Sequence, residues 1–282
     1  MDIRRVNRSY CSQTDVERAM GVQAAATNVT QAMILSSIID ASNEVDLITH
    51  TTYHSIEDSG TATSGAATTL TDSGQAWTVD EYINYVVWIH AGTGNGQYRE
   101  ITSNTATALT VATWGTNPDA TSEYRIIPDC ILDLAVDGDG SQTLSLEYFP
   151  ITNLQSLDID SVSVTPSKVY KYADEGILEL NGKLGPEVNY FSDTHPQSIE
   201  ISWVYGVYPI PRDVIRLTAS LAAIECLVTQ IGGTYNDVTS YTIPHLTVSK
   251  GEPYMNIRST LDYLRKEADK LIQRIVKYPA MF

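Results

Sequence analysis

Two histidines four residues apart, His50 and His54, are the first residues whose spacing could do chemistry: on a helix both imidazoles would face one side and could share a metal ion. A zinc hydrolase of that pattern needs a glutamate where Thr51 stands, and no third ligand follows nearby. The pair is therefore expected to be two surface or helix-end histidines, with no metal. The run Asp137-Gly138-Asp139-Gly140 resembles a calcium loop, but with Gly140 in the glycine place the first and last ligand positions fall on Ala135 and Leu146. A simple turn is the expectation. The stretch 92-GTGNGQ-97 has no lysine and no helix after it, so it reads as a hairpin reversal rather than a phosphate cradle. No GxSxG elbow occurs, and no cysteine lies near a histidine in the sequence. The many carboxylates form no acid–base pair recognisable by spacing, although one assembled in space stays open. The chain is read as a non-enzyme, with no catalytic residues and no cofactor.

The three cysteines, Cys11, Cys130 and Cys226, are far apart and odd in number, which suits buried small hydrophobes in a reducing cell better than a disulfide frame. At 282 residues the chain is long enough for two domains or for one large domain with an insertion. No apolar run approaches the roughly 18–20 residues that span a bilayer, and the basic N-terminus has no apolar stretch behind it, so neither a membrane span nor a secretory signal is expected. Charge is unevenly spread. The net charge is −16, yet residues 250–282 carry seven Lys/Arg against four Asp/Glu, which leaves −19 on the first 249 residues. An acidic body repels phosphate and disfavours adhesive nucleic-acid binding, while the basic tail suits an acidic partner surface. Solubility alone also explains the acidity. The 17 tyrosines against three phenylalanines fit either protein interfaces or β-modules, both of which favour Tyr.

The elements that must position these groups fall into four stretches. A helix is expected over 14–20, with Thr14 and Glu17 as a capping box and Gly21 as the stop, and a second over 28–50, with Asn28 and Gln31 as its cap pair and Ile34, Ile38, Ala41, Val45 and Ile48 as one buried stripe. At about Glu57 the composition turns to Thr, Gly and Ala, and short alternating runs at 67–71, 85–90, 97–102, 107–111 and 123–127 indicate a compact all-β module. A second β-rich region spans 129–206, with strands at 143–148, 156–164, 177–180 and 198–206; in the last, Ile199, Ile201, Trp203 and Tyr205 share one face and Glu200 and Ser202 the other. Two helices close the chain. The one over 212–231 starts beside Pro211 and carries Val214, Leu217, Leu221, Ile224, Val228 and Ile231 on one face. A loop over about 232–258 leads to the other, over 259–277, whose stripe of Leu261, Leu264, Ala268, Leu271 and Ile275 suits another helix of the same chain or of a neighbour. The fold class is thus α+β: a bundle of N- and C-terminal helices packed with a β-rich region, plus an inserted barrel- or sandwich-like module. Residues 1–56 and 129–282 form one core into which 57–128 is inserted, and excising about 58–127 is expected to leave a cooperatively folded remainder.

The ordered set 14-TDVERAMG-21, 34-ILSSIIDASNEVDLIT-49, 149-FPITNLQSLDID-160 and 199-IEISWVYGVYPIPRDVIRLTASLAA-223 resembles the head–tail adaptors of tailed bacteriophages and related viruses, also called connector or head-completion proteins. The likeness rests on a strand ending in Tyr-Gly that runs through a Pro-containing joint into a helix, here Trp203, Tyr205, Gly206, Pro209 and Pro211. Pro150 and the Val162–Val164 strand match the family's upstream phrase. The likeness covers about 10–54 and 140–275; the 57–128 insertion departs from the short members and is similar to small β-modules of phage structural proteins.

The resemblance implies a ring of about twelve subunits beneath the portal, contacting the portal protein on one side and tail or tail-completion proteins on the other, with DNA passing through an acidic channel without specific binding. It places the chain at the capsid–tail neck of a virion assembled in the host cytoplasm, away from any membrane. It also implies a portal-binding C-terminal arm of Arg274, Lys277, Tyr278, Pro279, Met281 and Phe282, and core or inter-subunit helix packing through Leu261, Leu264, Leu271 and Ile275. The rival reading is a tail or baseplate component that binds a receptor or carbohydrate through Trp77, Trp88 and Trp114 of the β-module.

Overall fold

The Thr- and Gly-rich segment after Glu57 has few apolar residues, and in 69–71, 108–111 and 123–127 they fall on alternate positions that turn one row of side chains inward. In the computed structural model, residues 9–21, 29–128, 130–180, 188–233, 240–243, 246–249 and 253–276 are described. The fold is mixed α+β, with helices and several antiparallel sheets. The chain divides into two compact units, 51–209 and 1–50 with 210–282, and each is described by itself.

In the 51–209 unit, seven strands build the module: β1 (Asp58–Thr61), β2 (Ser64–Ala66), β3 (Thr69–Thr71), β4 (Val86–Ala91), β5 (Tyr98–Asn104), β6 (Ala108–Val111) and β7 (Glu123–Ile127). Their order is β1-β7-β4-β5-β6-β3-β2, every pair antiparallel. The two ends of this order are one piece of chain broken only by Ala62 and Thr63. Ala62 N–H donates to Ser122 O on the β7 side (2.9 Å) and Thr63 N–H to Thr71 O on the β3 side (2.7 Å), so the sheet curls shut on itself. Leu70, Val87, Ile89, Ile101, Leu109 and Tyr124 fill its interior with no exposed surface. The sequence expectation had five of these strands and lacked β1 and β2. Their residues, DSGT and SGA, have no apolar alternation, and a Cβ at Gly60 would sit 2.6 Å from the Asp72 carboxylate; their backbone closes the barrel, not their side chains.

The second β region contributes β8 (Ile131–Val136), β9 (Thr143–Ser145), β10 (Ile151–Ile159), β11 (Val162–Ser163), β12 (Val169–Tyr172), β13 (Ile177–Leu180) and β14 (Ile199–Tyr205). They form a four-stranded sheet, β11-β10-β14-β8, and a three-stranded one, β12-β13-β9. The expected strand 156–164 is broken at Asp160 and Ser161, whose positive φ angles of 49° and 65° turn β10 back as β11. On β14 the expected face is correct: Ile199, Ile201, Trp203 and Tyr205 are buried, and Trp203 Nε1–H donates to Tyr148 O at 3.0 Å. The opposite face is not wholly polar, because Val204 is buried too. It joins a cluster with Cys130 and with Val86, Tyr98 and Ile127 of the module. That shared cluster links the second β region to the module within the 51–209 unit.

The other unit holds α1 (Gln13–Met20), α2 (Gln31–Thr49), α3 (Arg212–Gly233), a hairpin of β15 (Ser240–Ile243) and β16 (Leu246–Ser249), and α4 (Pro253–Ile275). The first capping box falls on Ser12 and Asp15 rather than Thr14 and Glu17: Ser12 Oγ accepts from Asp15 N–H (3.2 Å) and Asp15 Oδ2 from Ser12 N–H (3.0 Å), while Glu17 is engaged by Gln13 Nε2 (2.9 Å). Gly21 ends the helix at φ 72°, as expected. Helix α2 is capped by Thr30, whose Oγ1 accepts from Met33 N–H (3.2 Å); Gln31 is its first helical residue, and Asn28 lies outside the described residues. Ile34, Ile38, Ala41 and Val45 are buried and Ile48 half-buried. Helix α4 begins six residues earlier than expected because Pro253 occupies its first position, where a missing N–H costs nothing. The presumed loop 232–258 contains the β15–β16 hairpin.

Helix α3 packs against α1, α2 and α4. Its buried face is therefore not the expected large-residue stripe. Val214 and Leu217 are buried, but Leu221 and Ile224 are only partly so and Val228 is 49% exposed; Ala219, Ala222, Ala223 and Cys226 take the centre. Small side chains let three helices approach one axis. Ile231 lies among residues whose side chains are outside the described set. No described helix is long and apolar enough to cross a membrane.

Candidate functional site

The strand-to-helix joint begins where β14 ends. Gly206 takes φ +97°, and a Cβ there would lie 2.5 Å from the His54 ring, so this position excludes any side chain. The segment is pinned from two sides by backbone: Val207 N–H donates to Thr52 O and His54 N–H to Val207 O (both 2.9 Å), and Gly206 N–H donates to Pro150 O (2.9 Å). Thr152 Oγ1–H adds a bond to Gly206 O at 2.9 Å. His54 is buried, its ring edge-on to Tyr205 at 5.5 Å. A third side is supplied by the module. The Tyr208 and Tyr98 hydroxyls meet at 2.6 Å, Tyr98 stacks on Trp88 at 5.5 Å with the planes 1° apart, and Tyr208 meets Trp88 edge-on at 5.2 Å. Burial pushes the Tyr98 phenol up to about 12, against an opposing effect of the Tyr208 bond; Tyr208 is raised by burial and by its bond to Tyr98. Both hydroxyls stay neutral and hold the bond at physiological pH. The Tyr208–Pro209 peptide is cis, and Pro211 O accepts the first amides of α3, Val214 N–H (3.0 Å) and Ile215 N–H (3.1 Å).

Of the expected joint residues, Trp203 and Tyr205 are buried, and Gly206, Pro209 and Pro211 follow in the chain between β14 and α3. Sequence reasoning missed their supports: Thr52, His54, Trp88, Tyr98 and Tyr208. Only the adjacency of Tyr208 to Pro209 signalled anything. On α4, Leu261, Leu264 and Leu271 are buried within the helical unit and Ile275 is half-buried, so three of the four expected packing residues have neighbours in their own chain. Arg274 pairs with Asp213 at 3.5 Å, and Arg216 pairs with Glu267, joining antiparallel α3 and α4 at two points. Asp15, Arg18, Arg216, Tyr263 and Glu267 line a groove of about 260 Å³ between α1, α3 and α4. Lys277, Tyr278, Pro279, Met281 and Phe282 lie outside the described residues.

The groups with chemical potential are occupied by structure. His50 caps α2 in the left-handed region at φ 49°, a helix-end histidine as expected, whereas His54 is buried and not at the surface. Asp137 Oδ1 accepts from Gln197 N–H (2.6 Å) and Asp139 Oδ1 from Ser141 N–H (2.9 Å), and the run is irregular backbone with a bend at Gly140 rather than the expected turn. The glycines of 92–96 reverse β4 into β5, with φ of 75°, 81° and 86° at Gly92, Gly94 and Gly96. Asp160 receives Thr194 Oγ1–H (2.9 Å) and faces His195 Nε2 (3.2 Å). The carboxylate therefore lies between hydroxyl and imidazole, the wrong order for a base-activated nucleophile. Among the described residues no three His, Cys, Asp or Glu side chains gather as a metal site. The cysteines are buried and unlinked, and burial, with the Asp15 charge adding to it, raises the Cys11 thiol to about 12. Trp77 and Trp114 are 8% and 4% exposed, so two of the three tryptophans expected as a recognition surface are core; Trp88 is half-buried beneath Arg125. Compared with known protein families and with curated proteins, the sequence matches none.

Proposed function

We propose that this chain is a structural protein of a tailed virus particle: a head-to-tail adaptor that forms a ring below the portal, joins the capsid to the tail and leaves a channel open to DNA. The observation that carries the reading is the joint after β14, where Gly206 and the following residues are held by residues 52–54, by 150–152 and by Tyr98 before the chain enters α3. A segment fixed this firmly suits a part that must be repeated identically around a ring. In this reading the helical unit is the adaptor bundle, α4 and the residues after it form the arm that meets the portal, and tail proteins bind the other side. The acidity of the first 249 residues, −19, suits a channel in which DNA slides, because like charge removes the counterion-release gain of binding.

Electron microscopy of particles labelled with an antibody against this chain tests the reading. Label at the capsid–tail junction is the expected result. Label at the distal tail tip, or none on the particle, overturns it.

A further inference from the structure

The loop between Trp77 and Tyr85 carries an exposed apolar tip in a fixed conformation. Val79 is 65% exposed and Ile83 38%. Beneath them Asn104, almost wholly buried, ties the loop down: its Nδ2–H donates to Thr78 O (2.8 Å), its Oδ1 accepts from Tyr82 N–H (2.9 Å) and its carbonyl from Asp80 N–H (3.0 Å). Trp77, Tyr82 and Tyr85 meet edge-on in a chain, at 5.9 and 5.6 Å. A tip held this way loses little conformational freedom when it binds.

The rim of the tip is acidic. Burial raises the Tyr82 and Tyr85 phenols, and the charges of Glu57 and Glu81 raise both further, with Asp58 also acting on Tyr82. Asp80 is exposed in the same loop. The module's two arginines are committed elsewhere, Arg99 over Trp114 at 5.7 Å and Arg125 over Trp88 at 5.6 Å. The complement of such a surface, an aromatic group flanked by cations, is present on the same chain. Along the solvent face of α4, Tyr263, Lys266, Lys270 and Arg274 step by three, four and four residues in one strip. Tyr263 is 63% exposed. Arg258 and Arg265 of α4 are exposed as well; among its described acidic residues Asp262 and Asp269 are exposed, and Glu267 is half-buried and paired with Arg216.

We propose that the 77–85 loop of one copy docks on the α4 strip of a second copy, with Val79 and Ile83 against Tyr263 and with Glu57 and Glu81 facing Lys266 and Lys270. The proposal rests on the adaptor reading and deepens it by naming the two surfaces through which neighbours would meet. Two different patches on one chain make a heterologous contact, which repeats head to tail and closes into a ring where the rotation permits. It also gives the inserted module a task that requires it to be rigid.

Sedimentation velocity of the purified full chain, from low to high salt, is the test. Self-association that weakens with salt is expected. Glu57→Lys with Glu81→Lys, or Lys266→Glu with Lys270→Glu, is expected to weaken it by about tenfold or more, and all four changes together to restore it. Glu81 also accepts a hydrogen bond from Thr78 N–H (3.1 Å), so Val79→Ser provides a variant that disturbs no charge; it should weaken association at an unchanged melting temperature. A chain that stays monomeric at every salt concentration, reversed pairs without effect, or a fourfold variant that does not recover each overturns the proposal. If the Glu57/Glu81 reversal abolishes incorporation into particles but leaves self-association intact, the occupant is another basic partner and the second copy is excluded. None of these outcomes moves the label on wild-type particles, so failure of the contact and failure of the adaptor reading are distinguishable.

Discussion

Replacing Tyr98 should destabilise both β layers of the 51–209 unit together. The residue belongs to β5 of the module, yet its hydroxyl meets Tyr208 at 2.6 Å and its ring packs in a cluster with Cys130 and Val204 of the second β region. Tyr98→Phe removes one partly buried hydrogen bond, worth about 1 kcal/mol. Tyr98→Ala also removes the ring stacked on Trp88, and a truncation of a buried aromatic costs about 3–5 kcal/mol. Against a total stability of roughly 5–15 kcal/mol, the alanine variant loses a large fraction and the phenylalanine variant a small one. The assay is urea unfolding combined with amide hydrogen exchange. One transition is expected, shifted slightly by Phe and strongly by Ala, with protection in β4, β10 and β14 falling in step. If Tyr98→Ala lowers protection only in β1–β7 and leaves β10 and β14 unchanged, the shared cluster does not couple the layers and the reasoning fails. The same cluster reverses the expectation about excision. Removing 58–127 takes away Val86, Tyr98 and Ile127 and leaves Cys130, Val204 and Tyr208 without their cover, so aggregation or a molten remainder is the expected product.

Three further outcomes are expected. Tyr98 and Tyr208 have phenols raised above the ordinary value of 10.0, so their contribution is fully present below that value and is lost as pH rises from there toward about 12; the unfolding midpoint should fall across this window, and less steeply in Tyr98→Phe. Gly206→Ala places a Cβ 2.5 Å from the His54 ring at φ +97° and should cost about 1–3 kcal/mol or more, read from the same urea titration; a neutral result would show that His54 yields. Deleting 277–282, beyond the last turn of α4, should weaken co-sedimentation with portal rings and leave the melting temperature unchanged; undiminished co-sedimentation contradicts the arm assignment.

Where a segment's structure is decided by its own side-chain periodicity, it was legible. The α2 stripe and the β14 face are read from spacing alone, because burial there follows a period of about 3.6 or 2 residues. Helix α3 shows the limit. Its periodicity gives a helix, but which face is buried depends on how many neighbours it has, and three partners favour Ala219, Ala222 and Ala223 over Leu221 and Ile224. Strands β1 and β2 were illegible for a different reason: DSGT and SGA take part through backbone hydrogen bonds, which leave no pattern in residue type. The cap shift to Ser12 and Asp15 is a choice between two adequate sequences, and both bonds of the box close at Ser12 and Asp15.

The joint combines both limits. Its central residues were readable as Tyr-Gly and a pair of prolines, but its supports come from positions 52–54, 98 and 150–152, brought together only by the fold. Since Tyr98 belongs to the module, residues 57–128 are not a free appendage of the 51–209 unit: a load placed on their barrel reaches Tyr208, two residues from Gly206, through a stacked ring and one hydrogen bond. A decorative domain would need no such tie. Under the proposed contact, a load taken up by the 77–85 loop, held by Asn104 at the barrel's surface, would pass through this tie to Tyr208 of the same unit.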